Sequence, residues 1–284
     1  MPPPRKRLGQ HFLTDKRILA RVVDALDPQP GEMIVEIGPG RGALTDLLAA
    51  RASHVLAIEL DRVLAAELRQ RYEEAPNVRV VEGDALDIEL ASLVGAAPWS
   101  VTGNVPYYIT TPLLFHALRS PRPRCIVFLI QREVGDRLAA KAGDEAYGAL
   151  TVTARAVADV SRHGRVLAGA FHPPPAVESI IVRLTPLAVP LVAPAEEAPF
   201  RTLVQGAFSQ RRKQMLRVVR GLFDLAPDRA AQLLDAAQIE HDARPEVLPP
   251  EAFVRLLHSA GTANLRVAPV SAPRRSRRDS TAQN

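Results

Sequence analysis

Short apolar segments alternate with helix-length amphipathic stretches over the first 130 residues of the chain. Continuous apolar runs of four or five residues are typical of strands buried on both faces, and their alternation with helices is typical of a parallel sheet. This pattern predicts an α/β fold with a parallel sheet wound on both faces. The expected strands are residues 33–37, 54–58, 78–81, 99–102 and 126–130.

A proline-rich segment separates this part of the chain from a second one. Residues 186–199 contain four prolines and few charges, which is typical of a linker between domains. Two strand candidates precede it and predict an edge hairpin, at residues 151–160 and 179–184. Three helix-like stretches follow it, at residues 200–223, 228–238 and 250–259. The expected organisation is a sheet domain (1–185), a linker (186–199), a helical domain (200–261) and a basic disordered tail (262–284).

Composition excludes several classes of protein. Of 284 residues 47% are hydrophobic, which is ample for a core, and Cys125 is the single cysteine. A disulfide framework and a zinc site built on several thiolates are therefore excluded, and we expect no metal. There is no apolar run of the ~20 residues that a membrane span needs, so we expect a cytoplasmic protein without a membrane partner.

The net charge of +5 is unevenly distributed. Residues 201–220 contain six Lys or Arg side chains and no acid, and residues 1–17 and 262–284 are also basic. Basic segments on an otherwise acidic chain are typical of proteins that bind a polyanion such as a nucleic acid. Each segment alone is equally compatible with a solvated surface.

A glycine-rich turn follows the first expected strand. Gly38, Gly40 and Gly42 lie between a strand and a helix, where glycines permit a tight turn and a close approach of a ligand to the backbone. Glu59 ends the next strand, 21 residues after Gly38, and Asp84 ends the third. An acid at that spacing is suited to ribose hydroxyls, and an acid at the next strand end to an adenine amine. Helix capping is the alternative role for both acids.

The form of the turn distinguishes between two adenosine cofactors. Its spacing is G-x-G-x-G, whereas dinucleotide-binding folds carry G-x-G-x-x-G/A. Glu36 precedes the turn, where its charge suits a cationic methionine moiety and disfavours a pyrophosphate. The turn therefore favours S-adenosyl-L-methionine over NAD.

A polar and aromatic box, Gly103 to Tyr108, follows the fourth strand. It resembles the Asn/Asp-Pro-Pro-Tyr box of methyltransferases that act on nucleobase amines. An adenine amine is a poor nucleophile because its lone pair is delocalised into the ring. The Asn104 side-chain oxygen and the Pro106 carbonyl can accept its two N–H groups, and Tyr107 can stack on the base. A plain turn with core tyrosines is the alternative.

Phe171 begins a second rigid loop, which continues with His172 and three prolines. We expect Phe171 to pack on the other face of the target base. A proline-rich hairpin loop without that role is equally compatible with the pattern.

Taken together, these motifs resemble the ribosomal RNA adenine-N6 dimethyltransferase family, and most closely its 16S rRNA branch, from about Leu8 to His258. The matching segments are Leu8–Leu13, Glu36–Gly42, Ile58–Asp61, Gly83–Ala85, Gly103–Thr111, Gln131–Leu138 with Tyr147–Gly148, Phe171–Ser179 and Phe208–Leu216. The resemblance implies a Rossmann-like class I S-adenosylmethionine-dependent methyltransferase sheet with a small C-terminal helical domain.

The resemblance also implies roles for individual residues. The expected cofactor-binding residues are His11, Leu13, Gly38, Gly40, Glu59, Asp84 and Asn104, and the expected catalytic residues are Asn104, Pro106, Tyr107 and Phe171. The family usually has Asn at the position of His11, and a His can still offer a hydrogen bond there. A basic helix containing Arg211, Arg212 and Lys213 is expected to contact RNA phosphates.

The implied activity is dimethylation of two adjacent adenines in the hairpin loop near the 3′ end of 16S rRNA. The implied partner is 16S rRNA within an immature 30S subunit, and we expect a monomer. The alternatives are a 23S rRNA adenine methyltransferase of the macrolide-resistance type, a DNA adenine methyltransferase, and an RNA-binding assembly factor for which methylation is secondary.

Overall fold

A seven-stranded sheet forms the centre of the first part of the chain. The computed structural model describes residues 10–267. The strands of this sheet are β2 (Met33–Ile37), β3 (His54–Glu59), β4 (Val78–Glu82), β5 (Trp99–Asn104), β6 (Ile126–Gln131), β7 (Ala158–Val166) and β9 (Ser179–Pro186). Their order is β4-β3-β2-β5-β6-β9-β7. The neighbours from β4 to β6 are parallel, and β9 is antiparallel to both β6 and β7.

Helices connect these strands. They are α1 (Lys16–Leu26), α2 (Ala43–Arg51), α3 (Arg62–Arg71), α4 (Leu90–Val94), α5 (Thr110–Ala117), α6 (Arg132–Ala139) and α7 (Ala149–Arg155). The central strands are covered on both faces, since all five residues from Ile126 to Ile130 are buried. This explains their unbroken apolar sequence and confirms the expected α/β class.

The strand order reverses direction beside β2. From β2 the chain continues to β3 and β4 on one side, and β5 then lies on the other side of β2. In open α/β sheets a crevice forms at such a switch point, at the carboxyl ends of the strands. The glycine turn after β2 and the Asn104 box at the end of β5 therefore meet at the same edge.

A separate two-stranded sheet joins the N-terminal segment to a distant loop. Its strands are β1 (Phe12–Leu13) and β8 (Phe171–His172), which are antiparallel with Phe12 opposite His172. Thr14 extends the connection, because its hydroxyl donates to the carbonyl oxygen of Ala170 at 3.1 Å. Asp15 caps α1, accepting from the N–H groups of Arg17 and Ile18.

The expected strand at residues 151–160 is wrong in its first half. Residues 149–155 form α7, and β7 begins only at Ala158. The hydroxyl of Thr151 accepts from the N–H of Gly148 at the start of α7 and donates to the carbonyl oxygen of Arg137 in α6, so it links the two helices. Because α7 is buried almost throughout, its sequence lacks the polar face that distinguishes a surface helix from a strand.

The chain divides into two compact units between Glu197 and Ala198, within the segment expected as a linker. The helices of the second part are α8 (Glu197–Phe208), α9 (Met215–Phe223), α10 (Pro227–Ala236) and α11 (Pro250–Thr262). The expected single helix over residues 200–223 is therefore two helices. Ser209 contributes to the break, because its hydroxyl donates to the Gly206 carbonyl at 2.7 Å, a local bond that competes with helix propagation.

The basic termini lie largely outside the described residues. These are residues 1–9 and the part of the expected tail from residue 268 onward. The expectation of a disordered tail therefore lies outside the described residues from residue 268 onward. In residues 10–267, none of the helices combines the length and the apolar character that crossing a membrane requires.

Candidate active site

A pocket of about 320 Å³ lies at the carboxyl edge of the parallel strands. All seven expected cofactor-binding residues line it, together with the expected catalytic box. The cofactor set is His11, Leu13, Gly38, Gly40, Glu59, Asp84 and Asn104, and the box contributes Pro106 and Tyr107. The structure thus brings together residues separated by more than 90 positions.

The glycine turn has the conformation that only glycine adopts readily. Gly38, Gly40 and Gly42 have φ values of +69°, +58° and +80°. A Cβ atom on Gly40 would lie 2.9 Å from two ring carbons of Phe12, so the turn also packs closely under the N-terminal segment. Gly38 and Gly40 therefore line the pocket without a side chain, and Gly40 packs against the ring of Phe12.

Glu36 is a buried acid in the pocket wall. Its side chain is 1% exposed, and the hydroxyl of Thr45 donates to its Oε2 at 2.6 Å. Burial raises the pKa of Glu36 to about 8, and the negative charges of Glu59 and Asp46 act in the same direction. A cationic ligand in the pocket would offset this unfavourable environment of the carboxylate.

Glu59 is held by two backbone groups. Its Oε2 accepts from the N–H of Gly40 at 2.9 Å and its Oε1 from the N–H of Asp61 at 2.8 Å. Burial raises the pKa of Glu59, and these hydrogen bonds oppose the rise. The carboxylate lines the pocket with both oxygens oriented, and each oxygen has a second lone pair available to a hydroxyl.

Asp84 has a local structural contact as well as a place in the pocket. Its Oδ1 accepts from the N–H of Leu86 at 2.9 Å, within a turn that precedes α4, so this contact is not the helix cap that the sequence left open. It lines the pocket beside Gly83 and Ala85. The two roles are compatible, because a carboxylate has four lone-pair positions.

Asn104 is oriented by the N-terminal segment. Its Nδ2 donates to the carbonyl oxygen of His11 at 2.6 Å. This contact uses the donor end of the amide and leaves Oδ1 as the acceptor end. The sequence did not indicate this link between residues 93 positions apart.

The Pro106 carbonyl is already engaged, which differs from the expectation of a free acceptor. It accepts from the N–H of Ile109 at 3.2 Å and from the hydroxyl of Thr110 at 3.3 Å. Both donors belong to the helical turn after the box, where carbonyls are commonly used in this way. A substrate N–H can reach this oxygen only if it replaces one of them.

Tyr107 is half-buried and held at both ends. Its hydroxyl forms a 2.9 Å hydrogen bond with Ser179 Oγ, and burial raises the pKa of this phenol. Its ring stacks with that of His11, with ring centroids 6.0 Å apart and planes inclined by 22°. The neighbouring Tyr108 is 59% exposed and also lines the pocket.

Phe171 does not lie where the sequence placed it. Its side chain is 4% exposed and belongs to the apolar core with Leu13, Leu19 and Ile181. The ring is absent from the lining of the pocket described above, so it is not presented to a base in this structure. The reason is the pairing of β1 with β8, which sets Phe171 directly opposite Leu13.

Four residues that make contacts at the site were missed by sequence reasoning. They involve Phe12, Arg41, Pro173 and Ser179. The guanidinium of Arg41 lies 4.6 Å from the ring centroid of Phe12, and the carbonyl of Pro173 lies 2.8 Å from His11 Nδ1. Arg41 lies within the glycine turn and Phe12 within the Leu8–Leu13 motif, but no local pattern indicates that these distant segments touch.

The expected RNA-contacting residues lie in a turn between α8 and α9, where a basic helix was expected. Arg211 Nε forms an ion pair with Glu246 at 2.5 Å, so it is held by an acid of its own unit. Arg212 and Lys213 are exposed, and Lys213 donates to Gln210 Oε1 at 3.1 Å.

The site as built can hold an adenosine-type ligand and orient an amine. Of the two buried acids, Glu36 suits a cation and Glu59 suits hydroxyl groups. Asn104 Oδ1 supplies a hydrogen-bond acceptor beside the ring of Tyr107. The arrangement is therefore suited to methyl transfer from a cationic sulfonium to a nucleobase nitrogen.

Comparisons with known proteins agree with this geometry. Residues 3–260 match the family described as ribosomal RNA adenine dimethylase. The ribosomal RNA small subunit methyltransferase A of Geobacter metallireducens is 42% identical over 258 residues, which cover 89% of this chain and 94% of that protein. The protein of the same name from Aromatoleum aromaticum is 44% identical over 223 residues, which cover 78% of this chain and 83% of that protein.

Two solved structures share the fold. A dimethyladenosine transferase from Plasmodium falciparum superposes with a TM-score of 0.80 at 25% identity, covering 91% of this chain and all of that one. The 23S rRNA methyltransferase ErmE superposes with a TM-score of 0.69 at 28% identity, covering 87% of this chain and 98% of that one. With the motifs, the fold and the pocket in agreement, the chain belongs to the ribosomal RNA adenine dimethylase family, whose members are S-adenosylmethionine-dependent methyltransferases.

Proposed function

We propose that this enzyme dimethylates N6 of two adjacent adenosines in the 3′-terminal hairpin loop of 16S rRNA. The proposed substrate is an immature 30S particle in the cytoplasm, and the proposed active form is a monomer. The observation that carries this proposal is identity of about 40% with small subunit methyltransferases along nearly their whole length. The oriented Asn104 amide at the pocket supports the chemistry.

In this proposal the cofactor occupies the pocket between the glycine turn and Asn104. Glu59 accepts hydrogen bonds from ribose hydroxyls, Asp84 from the adenine amine, and Glu36 faces the cationic moiety. When bound, S-adenosylmethionine supplies a methyl group on a positively charged sulfur, which is a strong electrophile. The main task of the protein is then to position the acceptor nitrogen, and no strong general base is required.

The acceptor amine is positioned by the catalytic box. Asn104 Oδ1 accepts one N–H, and the Pro106 carbonyl accepts the second after the Thr110 hydroxyl, its longer contact, gives way. These two bonds withdraw the amine from conjugation with its ring and direct the nitrogen lone pair toward the pocket. Tyr107 offers a ring face to the extruded base. In each transfer the nitrogen would take the methyl group as the carbon–sulfur bond breaks, S-adenosylhomocysteine would leave with the electron pair of that bond, and one N–H proton would be lost to solvent.

In the second unit, Arg212 and Lys213 are the proposed phosphate contacts, because both are exposed. Arg211 is assigned instead to its ion pair with Glu246. Phosphate contacts fix the position of the protein on the RNA and carry no sequence information.

The experiment is methyl transfer from labelled cofactor to three substrates offered side by side. These are 30S particles lacking the modification, naked 16S rRNA and 23S rRNA. We expect two dimethyladenines near the 3′ end of 16S rRNA, formed on 30S particles. Label on 23S rRNA would place the activity with the resistance-type enzymes, and no label on any RNA would overturn the proposal.

A second experiment tests whether methylation is the main role. Asn104→Ala removes the acceptor oxygen, so we expect transfer to fall by about 100-fold or more while RNA binding persists. Asn77→Ala is the matched control, because Asn77 also donates through Nδ2, to backbone carbonyls remote from the pocket. If cells carrying Asn104→Ala mature 30S subunits normally while a deletion does not, an assembly role takes precedence.

A further inference from the structure

His11 contacts three residues of the site, which belong to two segments of the chain. Its Nδ1 lies 2.8 Å from the Pro173 carbonyl oxygen, its ring stacks with Tyr107, and its own carbonyl oxygen accepts from Asn104 Nδ2. Pro173 belongs to the loop after β8. Asn104 and Tyr107 belong to the box that begins at the end of β5. A single residue of the N-terminal segment therefore joins the two loops that face the substrate.

We propose that His11 is a positioning residue for methyl transfer, whose ring fixes the orientation in which Tyr107 receives the target base. This inference rests on the proposed function and deepens it, since it concerns the base-binding side of the same site. In this inference His11 orients Tyr107, a role distinct from contact with the cofactor.

The geometry separates the side-chain role from the backbone role. The bond to Asn104 uses the His11 carbonyl, so it is available to any residue at this position. The stack on Tyr107 and the bond to Pro173 use the imidazole alone. Side-chain substitutions therefore test the ring without removing the link that orients Asn104.

The bond to Pro173 also fixes the ring. A carbonyl oxygen can only accept, so Nδ1 carries the proton in neutral His11, and Nε2 is then unprotonated. The ring is thus held at one edge by the loop while its face lies against Tyr107. Tyr107 is held at its hydroxyl by Ser179, so its ring is constrained from two sides.

The chain offers three informative substitutions. His11→Phe keeps an aromatic face for Tyr107 but cannot donate to Pro173, whereas His11→Asn, the residue usual in the family, can donate but has no ring. His11→Ala has neither property. His54→Ala is the matched control, because His54 is an exposed histidine at the amino end of β3, the edge of the sheet opposite the pocket.

The test measures kcat and KM on 30S particles together with the affinity for S-adenosylhomocysteine by calorimetry. At saturating cofactor and particle, we expect kcat to fall by about 10- to 100-fold in His11→Ala and His11→Asn, with partial recovery in His11→Phe. Affinity for S-adenosylhomocysteine should change by less than about threefold, since the ring serves the base side. Far-ultraviolet circular dichroism and thermal unfolding verify that each variant is folded.

Two readouts on the free protein do not depend on activity. The ¹⁵N shifts of His11 should report a proton on Nδ1, and the ring resonances of Tyr107 should move in His11→Ala and much less in His11→Phe. A proton on Nε2 with Nδ1 bare would contradict the bond to Pro173.

The results separate this inference from the proposed function. If the wild type labels 16S rRNA and His11→Ala retains its kcat, the inference is wrong and the function stands. Loss of S-adenosylhomocysteine affinity with unchanged kcat would reduce His11 to a cofactor contact and would likewise overturn it. Equal loss in His11→Phe and His11→Ala would show that the ring face is not responsible. If the wild type labels no RNA, both proposals fail.

Discussion

Glu59 accepts a hydrogen bond from the backbone N–H of Gly40 at 2.9 Å, which joins the end of one strand to the glycine turn after its neighbour. A second bond, from the N–H of Asp61, occupies the other carboxylate oxygen at 2.8 Å. The carboxylate therefore shapes the turn as well as facing the pocket. Substitution at this position should affect the cofactor through both routes.

We expect Glu59→Gln to weaken binding of S-adenosylhomocysteine by about tenfold or more, equivalent to about 1.4 kcal/mol. The amide retains one oxygen but presents an NH₂ group to one of the two backbone donors, so one buried N–H loses its acceptor. Isothermal titration calorimetry measures the change. Glu82→Gln is the matched control, since Glu82 is the register partner of Glu59 on β4 and lies at the surface. An affinity within twofold of wild type for Glu59→Gln would contradict this role.

Glu36 should make the stability of the protein fall as pH rises. Its folded-state pKa is about 8, whereas its ordinary value is 4.5, so the native state retains a proton that the unfolded state has released between these values. The contribution of Glu36 to the free energy of unfolding therefore decreases between about pH 4.5 and about pH 8, and it is constant at higher pH. Since one pKa unit corresponds to about 1.4 kcal/mol, the decrease between pH 5 and pH 9 amounts to roughly 4 kcal/mol.

The substitution Glu36→Gln should remove this pH dependence. Urea unfolding at pH 5, 7 and 9 measures the free energy of unfolding of both proteins. We expect the stability of the variant relative to wild type to increase steadily with pH. Parallel pH profiles of the two proteins would show that Glu36 titrates normally in the folded state.

Cofactor binding should release a proton from Glu36. A cation in the pocket favours the carboxylate and lowers the pKa of Glu36 from about 8, so at pH 7 the group is mainly protonated before binding and ionised after it. Calorimetric titration with S-adenosylmethionine at pH 7, in two buffers of different ionisation enthalpy, should show release approaching one proton. The release should disappear in Glu36→Gln and diminish by pH 9. Buffer-independent heats for the wild type would contradict this coupling.

At the opposite edge of the sheet, Arg124 holds a buried acid. Its Nε and Nη2 donate to the two oxygens of Glu32 at 2.8 and 3.0 Å, and Ser100 and the Gln29 N–H donate to the same carboxylate. Burial raises the pKa of Glu32, but these donors together lower it by more, so the net direction is down. We expect Arg124→Ala to destabilise the fold by about 3 kcal/mol, because it leaves a buried carboxylate without its cation.

The pH dependence of Arg124→Ala has a definite sign. The stability supplied by the pair is present above pH 4.5 and is lost as pH falls through the lowered pKa of Glu32, so the difference from wild type should shrink in acid. Urea unfolding at pH 7 and pH 3.5 measures it. Arg69→Ala removes an exposed pair with Glu82 and should cost less than about 1 kcal/mol. Equal losses in the two variants would contradict the distinction between them.

The parallel sheet, the acids and amide at its strand ends and the glycine turn can be predicted from local sequence patterns. Continuous apolar runs predict buried parallel strands, and strand ends in such a sheet meet at one edge, so Glu59, Asp84 and Asn104 are brought together by topology. The glycine turn is equally local, because positive φ at Gly40 and its neighbours limits the residues that can occupy it.

The rest of the site depends on contacts between distant segments. The β1–β8 pairing sets Leu13 against Phe171, buries the phenylalanine and brings His11 to Pro173. Two-residue strands carry no periodicity that could reveal their partner. The buried α7 was predicted as a strand for a related reason, since a helix without a polar face has no helical pattern to detect.

The β1–β8 pairing also determines when the site can exist during synthesis. A nascent chain that has emerged only as far as β6 contains the glycine turn and the catalytic box, but not the partner strand that holds β1 in place. Because chains emerge from the N-terminus first, the segment around His11 must wait for about 160 further residues before it can dock. The active site of this enzyme would thus be complete only after the translating ribosome had passed Pro173.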